Sequence, residues 1–255
     1  MHNTSRILLP LDTDTADKAL ALATAVQSEV AGFKVGLELI NSAGFDVFDR
    51  LAKLSRNFSP LEEGAGEVGP NIFYDCKYHD IPNTVGGAAR AAGRRGLWMF
   101  NIHASGGSAM LKAAVAGAEE GAAAAGHKKP LVIAVTVLTS IDQSTLTEIG
   151  VTGRTVEAQV IALAKLAQDA GCDGVVASAH EIAAIRSACG PDFKLVIPGI
   201  RPAGSDIGDQ KRVMTPAEAV HAGADYLVIG RPISAAPDPI AVARQINAET
   251  GPIQQ

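Results

Sequence analysis

The chain has 255 residues and a formal charge of -5, with 47% apolar but only 4% aromatic residues. That length admits one large α/β barrel or two small domains, and a core poor in rings must be built from Ala, Val, Leu and Ile, which suits parallel strands covered by helices. The acidic balance and the lack of any basic block argue against nucleic acid or a membrane surface as a partner.

Cys76, Cys172 and Cys189 form no CxxC pair and no Cys/His cluster with zinc spacing, so neither a disulfide framework nor a structural metal is indicated. The opening stretch "MHNTSRILLPLD" has no charged leader followed by an apolar run, and no stretch of about 18 apolar residues occurs in the sequence. A cytoplasmic protein acting on a small molecule is expected.

Short apolar runs alternate with longer Ala-rich segments of helical spacing. In chain order they read "ILLPLD", a helix over 14–30, "GFKVG", "NIFYDCK", a helix over 81–93, "LWMFNIHA", a helix over 105–126 and "LVIAVTVL". Then come a helix over 155–170, "DGVVAS", a helix over 180–189, "KLVIPG", a helix over 215–222 and "DYLVIG". Asp14, Ser105 and Thr215 stand where N-caps are wanted, and Gly93, Gly126, Gly190 and Gly223 where C-caps are wanted. Eight strand–helix units predict a single-domain (β/α)8 TIM barrel over 1–255 rather than a doubly wound sheet, which normally has fewer strands. The echo between "AGCDGVVAS" and "AGADYLVIG" fits one recurring unit.

Two segments are too long for tight turns. Residues 59–70 precede the third strand and belong to the N-terminal, stability face, whereas 199–213 follow the seventh strand and read as a lid over the catalytic face. "GAGEVG", 64–69, spells G-x-G-x-x-G but leads from a loop into a strand, not from a strand into a helix, so it is read as a flexible loop.

The third strand carries the chemistry. In "FYDCKYHDIPNT" side chains alternate, so Phe73, Asp75 and Lys77 share one face while Tyr74 and Cys76 take the other. At the C-terminal end of a barrel strand that face looks into the active-site mouth. Asp12 at the end of the first strand and Lys34 in the second add two more charges there. The alternative is a structural ion pair, but buried pairs seldom repay their desolvation, so stability alone is a weak reason for them. His79 and His103 are candidate acid–base groups or merely loop residues satisfied by their neighbours. "IPGIRP" and "VIGRPI" end strands seven and eight, where barrels build phosphate sites; Gly199 and Gly230 permit close approach, and Arg201 and Arg231 supply forked cationic donors. Two surface arginines near turns are the plainer alternative.

The D-x-K-x-x-D-I-P-N-T pattern stands here as Asp75, Lys77, Asp80, Ile81, Pro82, Asn83 and Thr84. With "LPLD", "FKVGLEL", "HASGG", "AVTVLTS", "VIPGIRPAGSDIGDQKRVMTP" and "DYLVIGRPI", it resembles the bacterial orotidine 5'-phosphate decarboxylase family nearly from end to end. The resemblance implies conversion of orotidine monophosphate (OMP) to uridine monophosphate (UMP), the last step of de novo pyrimidine synthesis, without metal or other cofactor. It also implies a homodimer with shared active sites.

By matching positions, Asp12 and Lys34 would bind ribose hydroxyls and join the charged chain, with Lys77 as the catalytic lysine held by Asp75. Asp80 and Thr84 would reach into the partner's site, and Thr139 would meet the pyrimidine. Gln210 would bridge base and phosphate from the lid, while Arg201, Gly230 and Arg231 would hold the phosphate. Cys76 departs from the usual apolar residue, on the face away from the site, and the 59–70 loop looks long for the family. Two alternatives differ in class: a metal-dependent barrel lyase acting on sugar phosphates, which shares D-x-K-x-x-D but not I-P-N-T, and a non-catalytic nucleotide-binding barrel.

Overall fold

Eight parallel strands close in chain order into a barrel in the computed structural model, which describes residues 5–54, 71–202 and 214–252. The 59–70 loop, the glycines of 64–69, Gln210 and most of the 199–213 segment lie outside the described residues. The strands are β1 (Ile7–Pro10), β2 (Gly32–Val35), β3 (Ile72–Tyr78), β4 (Met99–His103), β5 (Leu131–Val135), β6 (Gly174–Val176), β7 (Lys194–Ile197) and β8 (Tyr226–Val228). Closure is made by β8 against β1, with Leu8 opposite Val228.

The helices are α1 (Ala16–Val26), α2 (Leu37–Ala43), α3 (Asp46–Ala52), α4 (Pro82–Arg94), α5 (Gly107–Ala125), α6 (Gln143–Glu148), α7 (Val156–Asp169), α8 (Ile182–Cys189), α9 (Pro216–Ala222), α10 (Arg231–Ser234) and α11 (Pro239–Thr250). Of these, α2, α3, α6, α9 and α10 span seven residues or fewer, too short for a 3.6-residue apolar period to recur, and only α9, marked by Thr215 and Gly223 at its ends, is legible in the sequence. Helix α11 is longer but only weakly apolar, and it too was not singled out. Among the described residues no helix is long and apolar enough to cross a membrane.

Alternation along the strands sorts the core into two parts. Leu8, Ala31, Phe73, Met99, Ile133, Val196 and Val228 fill the barrel, with Trp98 edge-on to Tyr226 at 5.3 Å beneath them. Leu9, Phe33, Tyr74, Phe100, Val132, Val175, Leu195 and Leu227 face outward into the larger core under the helices.

Several caps differ from expectation. Thr15, not Asp14, caps α1 by accepting from Lys18 N, because Asp14 is engaged by the Lys18 ammonium at 2.8 Å. Ser105 lies in a 3₁₀ turn, and Gly106 precedes α5. Thr215 does cap α9, reciprocally with Glu218, and Gly126 and Gly223 end their helices in the left-handed conformation. Gly93 is no cap: it lies inside α4, where a Cβ would strike the carbonyl of Ala118 on α5. Gly117 and Gly121 on α5 face the carbonyls of Gly86 and Arg90 in the same way, so these two helices meet backbone to backbone.

The echoed segments have a shared structural purpose. Asp173 and Asp225 each precede a strand at the N-terminal rim, and each accepts the amide of the preceding strand at 2.8 Å, from Val132 and Leu195 respectively. Asp173 also holds the Lys129 ammonium at 2.8 Å, and Asp225 the guanidinium of Arg186.

Candidate active site

At the C-terminal rim the charges predicted from strands one to three form a continuous chain. Lys34 Nζ lies 3.3 Å from Asp12 Oδ1 and 3.1 Å from Asp75 Oδ2, and Lys77 Nζ lies 2.7 Å from Asp75 Oδ1. Lys34 and Asp75 are 12% and 13% exposed while Lys77 is 32% exposed, so the terminal ammonium is the more accessible of the two. β1 ends at Pro10, two residues short of Asp12, but the Leu11 amide still bonds the Lys34 carbonyl at 2.8 Å and keeps Asp12 beside the second strand. Gly36 leaves room for the pair: a Cβ there would sit 3.1 Å from Lys34 Nζ and 3.3 Å from Asp12 Oδ1.

Burial works to raise the pKa of Asp75, but the Lys34 and Lys77 ammonium groups and hydrogen bonds from Lys77 and Asn101 outweigh it and hold the carboxyl below the usual carboxylate value. Asp75 is therefore an anion, and it fixes Lys77 electrostatically.

Simple alternation does not account for how Lys77 reaches Asp75. Lys77 has φ 50°, the one non-glycine residue with positive φ among the described residues, and the β3–β4 register shifts between Tyr74 and Tyr78. A lysine in that region costs on the order of 1 to 3 kcal/mol, which surrounding contacts must offset. Asn101, missed by the sequence reading, supplies two of them: its Oδ1 accepts the Lys77 amide at 2.7 Å and its Nδ2 donates to Asp75 Oδ1 at 2.7 Å. The signal was one amide side chain amid the apolar run "LWMFNIHA".

Cys76 faces the outer core, donates to the Asn101 carbonyl at 3.1 Å and has its thiol pushed up to about 12 by burial, which leaves it unreactive. His79 and His103 stack at 5.4 Å, and burial with the nearby His79 and Lys77 charges lowers the pKa of His103. Neither imidazole joins the charged chain.

Asp80 and Thr84 are exposed at the start of α4, where Asp80 Oδ1 accepts the Ile81 amide at 2.6 Å, and Asp80 makes no ion pair among the described residues. Between them Ile81 is 66% exposed. Thr139 lies half-buried in the turn after β5.

Next to the Asp12 end of the charged chain, where β8 meets β1, Gly230 precedes α10, and a cavity of about 370 Å³ is lined by Pro10, Asp12, Thr13, Lys18, Gly230 and Arg231, among others. A Cβ on Gly230 would come 3.0 Å from Pro10 Cγ, so glycine keeps this corner open. Arg231 is exposed, whereas Arg201 is 9% exposed and donates to the Ile200 carbonyl at 2.9 Å, so it is not a surface arginine. Ile200 and Met214 form a parallel bridge with the Arg201 amide bonded to the Met214 carbonyl at 3.0 Å, which ties the ends of the intervening segment together. Among the described residues no group of three or more His, Cys, Asp or Glu side chains is arranged to hold a metal. The arrangement puts an open cavity with Lys18 and Arg231 in its lining next to the Asp12 end of the charged chain, and a fixed ammonium at the chain's other end.

A family model described as "Orotidine 5'-phosphate decarboxylase / HUMPS family" matches residues 5–246. The chain is 52% identical over 250 residues to the orotidine 5'-phosphate decarboxylase of Moorella thermoacetica, covering 98% of this chain and 93% of that protein. It is 48% identical to that of Heliobacterium modesticaldum, covering 98% and 97%. The crystal structure of orotidine 5'-phosphate decarboxylase from Lactobacillus acidophilus superposes with a TM-score of 0.81 at 35% identity, over 97% of this chain and 99% of that one. Sequence and fold thus agree over nearly the whole length, and the chain belongs to the orotidine 5'-phosphate decarboxylase / HUMPS family.

Proposed function

We propose that this protein decarboxylates OMP to UMP in pyrimidine biosynthesis, with Lys77 as the group that stabilises and then protonates C6. The observation that carries this reading is the chain Asp12–Lys34–Asp75–Lys77, in which a buried carboxylate holds a lysine ammonium at the mouth of the barrel.

Loss of CO2 leaves an electron pair on C6 in an orbital perpendicular to the ring π system, so the ring offers no simple delocalisation and electrostatics must do most of the stabilising. Enzymes lower barriers by roughly 8 to 23 kcal/mol, and this reaction calls for the upper part of that range. An ammonium already oriented by Asp75 needs little reorganisation as the negative charge develops. The carboxylate carbon departs as CO2, its bonding pair stays on C6, and Lys77 Nζ gives C6 a proton to form UMP. The neutral amine regains its proton from solvent.

Asp12 and Lys34 would bind the ribose hydroxyls, and Arg201, Gly230 and Arg231 the 5'-phosphate, which the cavity beside Gly230 suits. Thr139 and Gln210 would contact the pyrimidine. Asp80 and Thr84 would act in a partner subunit's site, a role supported by their exposure around the solvent-facing Ile81. That role would require a homodimer with shared sites, and a cytoplasmic location fits a free nucleotide substrate and product. The I-P-N-T continuation at Ile81–Thr84 favours this reading over a metal-dependent lyase of sugar phosphates.

Spectroscopic measurement of OMP consumption in the presence of EDTA tests the proposal. Metal-free turnover is expected. A purified, folded enzyme that consumes OMP only after a divalent metal is restored, or never, would overturn it.

A further inference from the structure

Between the pairs Tyr74–Phe100 and Tyr78–Ile102, β3 has three residues where β4 has one. That one is Asn101, and it bonds to all three. Its Nδ2 donates to Asp75 Oδ1 at 2.7 Å, its main-chain carbonyl accepts the Cys76 thiol at 3.1 Å, and its Oδ1 accepts the Lys77 amide at 2.7 Å.

The mismatch takes the Lys77 amide out of the regular ladder, and a half-buried N–H at φ 50° needs an acceptor from elsewhere. A side-chain amide meets that need and keeps a donor free for the Asp75 carboxylate. Aspartate has the same shape but no donor when ionised, and leucine has neither group. Asn101 is 1% exposed, so it presents no surface to a substrate. Whatever it contributes must pass through Asp75 and Lys77.

We propose that Asn101 is a positioning residue for the decarboxylation, gripping the Lys77 main chain and the Asp75 carboxylate with one planar amide and thereby setting where the Lys77 ammonium stands. The proposal rests on the decarboxylase reading above. Asn101 bonds directly to none of the residues assigned to ribose or phosphate, and Lys34 keeps its pairs with Asp12 and Asp75, so loss of this grip acts on turnover far more than on nucleotide binding. A displacement of the reacting group by about 1 Å can cost on the order of 100-fold in rate.

The test uses Asn101→Ala, the isosteric Asn101→Asp, Lys77→Ala and the Asn101→Ala/Lys77→Ala pair, with steady-state OMP kinetics and UMP affinity by calorimetry. Asn101→Ala should lose about 100-fold in kcat, with KM and UMP affinity within about threefold of the unaltered enzyme. Asn101→Asp, which keeps the acceptor for the Lys77 amide but sets a second carboxyl group against Asp75, should lose at least about tenfold with the same intact binding, and it decides the matter if the alanine variant does not fold. In the Lys77→Ala background the second substitution should cost nothing further, since a residue acting through Lys77 has nothing left to position. Wild-type kcat in folded Asn101→Asp, a parallel loss of UMP affinity, or multiplicative losses in the double variant would each overturn the proposal. No turnover by the unaltered enzyme would instead overturn the decarboxylase reading, and this role with it.

Discussion

The two rims of this barrel both carry buried and half-buried charges, but in different company. At the N-terminal rim Arg186 donates to the carbonyls of Gly190, Pro191, Phe193 and Gly223 and pairs with Asp225, which in turn accepts the Leu195 amide. Asp173 is held by Lys129 and by the Val132 amide. Nearly every charge there is tied to main chain that would otherwise lack a partner, between helix ends and strand starts. At the C-terminal rim Asp12, Lys34, Asp75 and Lys77 bond chiefly to one another, and the last of them is left a third exposed. Charge spent on satisfying backbone holds a fold together, whereas charge arranged against charge at an open mouth keeps its field available to a ligand.

The largest effect expected from this contrast is recovery of activity between two strongly impaired variants. Lys77→Ala and Asp80→Asn, each left with only residual turnover alone, should on subunit exchange regain about a quarter of wild-type activity, because half the dimers are mixed and each mixed dimer holds one intact site. No recovery after verified exchange would place Asp80 in its own subunit's site.

Next in size is a stability effect at the other rim. Arg186→Ala should lower unfolding free energy by about 2 to 4 kcal/mol in urea denaturation, since it removes the main cationic partner of Asp225 and the donor to several carbonyls together. Its kcat on OMP should stay within about twofold, because no site residue touches it. A fall in kcat without a fall in stability would erase the distinction between the rims.

The smallest expected effect is a titration. Asp75 is held below the ordinary carboxylate value, so its ionised form favours the folded state; that stability is fully present at neutral pH and is lost as pH falls through the lowered value. Carboxyl carbon NMR should show Asp75 titrating below exposed aspartates, and Lys34→Met should move it upward. An unshifted Asp75 would mean that the chain of charges does not operate in solution.

Much of this was legible beforehand, element by element. Period-two alternation sends Phe73 one way and Tyr74 and Cys76 the other, and the structure places Phe73 inside the barrel and Tyr74 and Cys76 under the helices. Asp75 and Lys77 were paired correctly but by an incomplete argument, since the strand breaks its alternation at Lys77 and leaves the register there to Asn101. Gly93 was taken for a helix end because a glycine near a helix terminus looks the same whether it relieves φ or admits a neighbouring backbone.

By itself the sequence determined the strand count, the parallel architecture, the charged residues of the mouth and the family, since these depend on local periodicity and on residues adjacent in the chain. The tertiary structure decided which polar groups hold those charges in place. Asn101 meets Lys77 across 24 residues, and Asp225 meets the Leu195 amide across 30. Hydrogen bonds between neighbouring strands leave no periodic trace in either segment, so only closing the barrel brings them together.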